Sequence, residues 1–535
     1  MRTMVRLEVV AFVLMRRRHH ISVLLGALVT SVALGACGGS STASNPTLDL
    51  SDVTTVPPSA STTAAVASTT TVSIPLSPIR WKKCTTSDLE GVQCGTIEVP
   101  YDYENPSVGV FTLSVKKRPA DNEKDRIGSL IVNRGGPGAE SASMASDAGF
   151  YFSQEILDHF DVVAFDPRGT GISKPFVDCV DEYDSYFASD VTPDTPEERL
   201  ALIDDAKRFN AACEKKSGEI LPYISTVSSA RDIDMIRRAL GEETTSFFGF
   251  SYGSELGATW AQMFPNTVRA AVFDGAADPN ASYLEGGLAQ AAGFEGQLNA
   301  FFADCAKRKT CPIYNKGKPE EVFDRIMVRL DRDPLFVHDK RTLVNEGVAY
   351  TAAVDAMYSD SLWPTFAEAL AAADMKPLAD GTGLLALYDD YYQRRSDDTY
   401  DNLLEAFTAI SCLDDQGETS PEAVDAHLDA FVEVAPRLGA YFTYGYNCAL
   451  WPVKSQPRAP FANVGKSPIV VIGTTGDAAT PLDSSRKMAA AMTDGRLIVV
   501  NQNQHTGYGT SKCVNNLVDT YLVKLEAPKN ESTCK

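Results

Sequence analysis

Basic residues are scarce in this sequence: 49 Lys and Arg stand against 70 Asp and Glu among 535 residues, a formal charge of -21. A groove for nucleic acid needs clustered Lys and Arg, so nucleic acid is excluded as a partner; the acidic field would favour a cationic ligand, although diffuse acidity more often serves solubility alone. The 11 cysteines contain no C-x-x-C and no Cys/His ligand spacing, which points away from a metal site and towards disulfides formed in an oxidising compartment. Beyond one N-terminal stretch there is no long apolar run, which excludes a polytopic membrane protein. No internal repeat at solenoid or propeller periods occurs. What is present, 44% hydrophobic and 22% charged residues, is the composition of a globular protein. The length exceeds one ordinary core of roughly 100–200 residues and implies a domain carrying a large insertion.

At the N-terminus, Arg16, Arg17 and Arg18 precede the apolar stretch 21–33, the two regions of an export signal, too short for a transmembrane helix. Met15 is an alternative start to Met1. Leu34-Gly35-Ala36-Cys37 resembles a bacterial lipobox, which implies lipidation of Cys37 and anchoring to the outer face of the cell membrane; simple secretion is the alternative. With Cys37 set aside, an even number of cysteines remains, expected to pair with neighbours along the chain: Cys84 with Cys94, Cys179 with Cys213, Cys305 with Cys311, Cys412 with Cys448, and Cys513 with Cys534.

The Ser/Thr/Ala/Pro-rich residues after Cys37 cannot bury a core and read as a tether. From Trp81, apolar runs of strand length alternate with helical patterns, the signature of an α/β fold with a mostly parallel sheet flanked by helices. Strands are expected at 111–115, 129–132, 162–165, 246–250, 271–273, 469–472 and 497–500. Between them the strand signals fade and helices are expected at 319–331, 362–373 and 422–434, an inserted helical cap. The resulting plan is a signal over 1–36, a tether over 37–79, a core over 80–277 and 458–535, and a cap over 278–457.

Gly249-Phe250-Ser251-Tyr252-Gly253 is a G-x-S-x-G run directly after an apolar strand and before a helical stretch, the context of a strained elbow that exposes a serine hydroxyl. Such a nucleophile needs a histidine base, and His159, His338, His427 and His505 lie beyond the leader. His505 follows the 497–500 strand in a polar loop, at the sheet end where ligands bind. His159 precedes a strand, at the wrong end, and His338 and His427 fall in the cap. Asp477, in the loop after the 469–472 strand, is placed to orient the imidazole; Asp483 competes but reads as a first-turn charge of the next helix. The order Ser251, Asp477, His505 is that of α/β-hydrolases. Oxyanion donors are expected from the N–H of Tyr252 and from Gly136 in Arg134-Gly135-Gly136-Pro137-Gly138.

These runs, with Asp166-Pro167-Arg168-Gly169-Thr170-Gly171 and Gly476-Asp477-Ala478-Ala479-Thr480-Pro481, resemble the tripeptidyl aminopeptidase branch of α/β-hydrolases, exported actinobacterial enzymes related to prolyl aminopeptidases. The likeness runs from about Trp81 to Cys534. It departs from the family pattern at Arg134, where Pro is frequent, and in Ala139-Glu140-Ser141. The resemblance implies the α/β-hydrolase fold and a serine exopeptidase removing short peptides from free N-termini, with Ser251, Asp477 and His505 as its triad and no metal or organic cofactor. A peptide is then the partner and the membrane is met through the lipid anchor alone; the sequence is compatible with a monomer and leaves the oligomeric state open. An aminopeptidase must bind a terminal ammonium, for which Asp414 and Glu140 are the candidates. Asp166 and Arg168 read as structural. The branch also holds carboxylesterase-like enzymes, which is the alternative activity. A catalytically silent surface binding lipoprotein is a further reading.

Overall fold

A computed structural model describes residues 76–84, 91–337, 341, 343–414 and 417–535. The leader, Cys37, most of the tether and His338 lie outside the described residues. The sheet is built from β1 (Lys82–Lys83), β2 (Gln93–Pro100), β3 (Val110–Arg118), β4 (Gly128–Asn133), β5 (Phe160–Phe165), β6 (Thr245–Phe250) and β7 (Val268–Asp274). Two short strands, β8 (Leu335–Phe336) and β9 (Leu343–Val344), form a separate ribbon, and β10 (Ile469–Thr474), β11 (Gly495–Val500) and β12 (Ser532–Cys534) complete the main sheet. Its order is β1-β2-β3-β5-β4-β6-β7-β10-β11-β12, parallel from β5 to β12 and antiparallel from β1 to β5.

The strands are apolar on both faces because helices cover both faces, as parallel sheets require. Every residue of β4, β5 and β10 is buried. Alternation sends Ile131, Val163, Phe247 and Val471 into one core with Ile233, Leu256 and Trp260. It sends Leu130, Val162, Phe248 and Ile472 into the other with Ile156, Val514 and Leu522. Each of the seven expected strands is present, every one a residue or more longer than the apolar run alone indicates.

The chain leaves β4 towards β5 on one side and returns to β6 on the other, with Asn133 opposite Gly249 in register. This reversal opens a crevice at the carboxyl ends of β4 and β6, the place where open α/β sheets bind ligands. Between β7 and β10 the described chain is helical apart from the β8–β9 ribbon. The expected 319–331 and 362–373 helices are found as Glu320–Arg332 and Trp363–Ala373. The expected 422–434 helix is two pieces, Pro421–Asp425 and Leu428–Val434, broken at Ala426 and His427. Most of this segment shares a third core around Phe294, Phe301, Phe323, Phe366 and Leu370, which reaches Ala478 and Ala479 of the Asp477 loop. The Leu403–Asp414 helix behaves otherwise: Ala406, Ala409, Ile410 and Leu413 pack into the sheet core.

Cysteines pair with neighbours as expected: Cys84–Cys94, Cys179–Cys213, Cys305–Cys311, Cys412–Cys448 and Cys513–Cys534. This density of disulfides belongs to an oxidising, extracytoplasmic compartment. No helix among the described residues is long and apolar enough to cross a membrane.

Arg168 and Asp232 form a fully buried ion pair at 2.6 Å. Desolvating two charges costs several kcal/mol each, so the pair persists only with its remaining valences filled. Arg168 also donates to the carbonyls of Pro100, Tyr101 and Tyr223, and Tyr103 donates its hydroxyl to Asp232 at 2.7 Å. Arg168 is therefore structural, fastening the loop after β5 to the sheet edge.

Candidate active site

Ser251 lies between the last residue of β6 and the helix Tyr252–Met263, with φ 54° and ψ -128°, a conformation that L residues avoid. The turn is tight enough that a Cβ on Gly249 would meet the Gly253 carbonyl oxygen at 2.1 Å, and one on Gly253 the Asn133 oxygen at 2.8 Å. Only glycine fits at both positions, which is the physical content of G-x-S-x-G. The Ser251 N–H donates to the Asp274 carbonyl at 2.8 Å, fixing the elbow to the end of β7.

On the other side, His505 Nδ1 lies 2.9 Å from each carboxylate oxygen of Asp477. Asp477 is held in turn by the Thr480 N–H at 2.8 Å and hydroxyl at 2.9 Å. The opposite ring nitrogen, Nε2, is buried and has no hydrogen-bond partner. With Nδ1–H committed to the carboxylate, Nε2 is the acceptor of the neutral ring. Burial alone would lower the His505 pKa, but the charge and hydrogen bond of Asp477 outweigh it and hold the ring above its ordinary value. Asp483 is an exposed first-turn charge 3.5 Å from Lys487.

Asp274, which the sequence reading did not single out, connects the two halves. Its backbone holds Ser251, while its carboxylate accepts the N–H groups of Gly507 at 2.7 Å and Tyr508 at 2.8 Å, just past the histidine. Burial pushes its pKa up to about 7 against those hydrogen bonds. A Cβ on the next residue, Gly275, would stand 3.0 Å from His505 Cε1, so the ring lies against this strand end. An acid closing β7 next to a glycine was the available signal.

The loop after β4 approaches the elbow just as closely. A Cβ on Gly135 would fall 2.9 Å from Ser251 Cβ and 3.2 Å from the Tyr252 nitrogen. Gly135 and Gly136 both take positive φ, 105° and 108°. The Gly135 N–H is taken by Asn133 Oδ1 at 3.0 Å. Asp166 steadies the far end of this loop through the N–H groups of Ser141 at 2.9 Å and Ala142 at 2.8 Å.

The two carboxylates expected to receive the substrate ammonium have other partners. Glu140 accepts from the N–H and hydroxyl of Ser143, at 2.8 and 2.6 Å, at the start of a helical turn. Asp414 is buried with its oxygens turned to the Thr226 N–H at 3.0 Å and hydroxyl at 2.5 Å; that hydroxyl also meets the Tyr252 phenol. Burial raises Asp414 to about 7. Both acids thus brace the elements that frame the elbow. His159 bonds the Glu155 carbonyl at 2.8 Å and His427 bonds Glu418 at 2.8 Å; neither adjoins the Asp477 pair.

The segment between β7 and β10 supplies one further wall. The Tyr358 carbonyl accepts the His505 N–H at 2.8 Å, Ser359 bridges Gln504, and the Tyr358 ring stands edge-on to the imidazole at 5.5 Å between centroids. No sequence signal marked Tyr358.

A strained serine elbow at a sheet switch point, a carboxylate-bound histidine and a glycine loop folded over the elbow define a hydrolase of the α/β class. The chain belongs to the alpha/beta hydrolase fold family, whose model matches residues 128–511. It is 34% identical over 485 residues to the serine protease Hip1 of Mycobacterium tuberculosis, covering 85% of this chain and 91% of that protein. It is 33% identical over 478 residues to carboxylesterase B of the same species, covering 85% and 89%. Against the tripeptidyl aminopeptidase of Streptomyces coelicolor the identity is 29% over 462 residues, covering 83% of each chain.

Proposed function

We propose that this protein is an extracytoplasmic serine exopeptidase that releases short peptides from free N-termini. The observation that carries the reading is the Asp477-bound imidazole with an unpartnered Nε2, in a loop that Asp274 ties to the strained Ser251 elbow. Ser251 Oγ attacks the scissile carbonyl carbon while His505 Nε2 takes its proton; Asp477 holds the ring and stabilises the imidazolium. The oxyanion receives the Tyr252 and Gly136 N–H groups, each donor being worth on the order of 10²–10³ in rate. His505 then protonates the leaving amine, the acyl-enzyme remains, and a water deprotonated by the same ring releases the peptide acid and restores Ser251. No metal or organic cofactor takes part in this sequence. The leader and Cys37 fit a chain tethered to the outer face of the membrane by lipid.

Similarity to a serine protease and a tripeptidyl aminopeptidase supports the peptidase reading; similarity to carboxylesterase B supports ester hydrolysis as the second. Both use the same nucleophile and differ in the leaving group. The test is turnover of a tripeptidyl chromogenic amide, its N-acetyl form and a short acyl ester by wild type and Ser251→Ala. The exopeptidase reading expects the free-amine amide to be far the best substrate and all activity to vanish in the variant. Ester turnover without amide turnover would replace it with the second reading.

A further inference from the structure

The segment that meets His505 holds a buried acid with an unpartnered oxygen. Asp355 lies one helical turn before Tyr358, in the last turn of the helix Glu346–Met357, and is 8% exposed. Its Oδ2 has no hydrogen-bond partner. A second carboxylate, Asp390, in the last turn of the helix Thr382–Tyr391, acts on it, and together with burial drives the Asp355 pKa well up. Both acids therefore occupy helix C-termini, where negative charge is least favoured and a cation most favoured. Native proteins seldom leave a buried carboxylate oxygen unpaired without a functional reason.

The surroundings select the cation. Thr351, Asp355 and Tyr358 share one helix face at spacings of four and three residues. Tyr391 stands 6.5 Å from Tyr358 between ring centroids, and the Tyr441 hydroxyl 3.4 Å from that of Thr351. Aromatic faces around a carboxylate suit an organic ammonium. Among the described residues no three His, Cys, Asp or Glu converge as metal ligands. Distance then selects which ammonium. Tyr358 touches the imidazole and Asp355 is one turn further, so the carboxylate lies on the order of 10 Å from the reacting centre. Three extended residues span about the same length.

We propose that Asp355, assisted by Asp390 and the Tyr358 and Tyr391 rings, binds the N-terminal ammonium of the peptide substrate and so sets the length removed at about three residues. This rests on the exopeptidase reading and gives its free-amine requirement an address. Without a ligand, burial and the Asp390 charge favour the protonated Asp355; an arriving ammonium supplies the opposing charge and donates to Asp355 Oδ2.

The test separates binding from chemistry. Calorimetry of trialanine and N-acetyl-trialanine on Ser251→Ala and on Ser251→Ala/Asp355→Asn reads the site without turnover, and kinetics of wild type and Asp355→Asn read its effect on selectivity. Losing a charge-assisted hydrogen bond is expected to weaken trialanine binding by about 10- to 100-fold, leave the acetylated peptide unaffected, and collapse the preference for free over acetylated amide. Equal trialanine affinity in the two proteins, or an unchanged preference, would overturn the assignment. If wild type hydrolyses neither amide while trialanine binding still depends on Asp355, the ammonium site stands and the exopeptidase reading falls. Thermal melting checks the fold; should Asp355→Asn fail to fold, Asp390→Asn carries the same comparison, with a smaller loss expected.

Discussion

The chemistry of the site turns on two opposing effects at one imidazole. Burial favours the neutral ring and Asp477 favours the charged one, and the second prevails. Activity requires the neutral base, so the acidic limb of kcat/KM should lie above the ordinary histidine value of about 6.5. Replacing Asp477 with Asn removes the raising charge and leaves the burial, which should move that limb to lower pH. It also lets Nδ1 act as acceptor and present the wrong tautomer, for an expected fall in kcat of roughly 10⁴-fold. A pH–rate profile of Asp477→Asn with its limb unmoved would contradict this assignment of the orienting acid.

Elements carry these residues to one place, and how far that was legible depended on local signals. The strands β4 to β7, β10 and β11 announce themselves because burial on both faces makes them continuous apolar runs. β2 was not found: it alternates buried and half-exposed residues and ends in proline, a pattern that is weak without its partner β3. β1 and β12 have two and three residues, too few to show a period. Ser251, Asp477 and His505 were readable because each follows a strong strand. Asp274, Tyr358 and Asp355 were not, since their roles come from register and from contact between segments far apart in sequence: Asp274 closes β7, between the strands that carry Ser251 and the Asp477 loop, and its carboxylate reaches the histidine loop that follows β11, two strands away, and Asp355 reads as an ordinary helical acid until its unpartnered oxygen is seen. The tie of Asp414 to Thr226 was not legible for the same reason, because it exists only once the Leu403–Asp414 helix packs on the sheet core.

The whole molecule is strongly acidic and buries many of its acids. Asp274, Asp414, Glu346 and Glu405 are pushed up to about 7, and Asp166 to about 6, chiefly by burial. Folded values above the unfolded ones make their contribution to stability complete below the unfolded carboxyl range and progressively lost as pH rises through about 7. The -21 formal charge adds self-repulsion in the same direction. The melting midpoint should therefore rise from pH 8 to pH 5.5, where activity falls as His505 takes up a proton. A midpoint that instead drops towards pH 5.5 would show that the exposed paired carboxylates dominate. The account as a whole depends on Ser251 being activated by His505, and labelling with a fluorophosphonate probe, mapped by peptide mass and followed against pH, tests that most directly. A single adduct on Ser251, slowing as His505 protonates and absent in His505→Ala, is the predicted result; label on another residue, or undiminished labelling of His505→Ala, would contradict it.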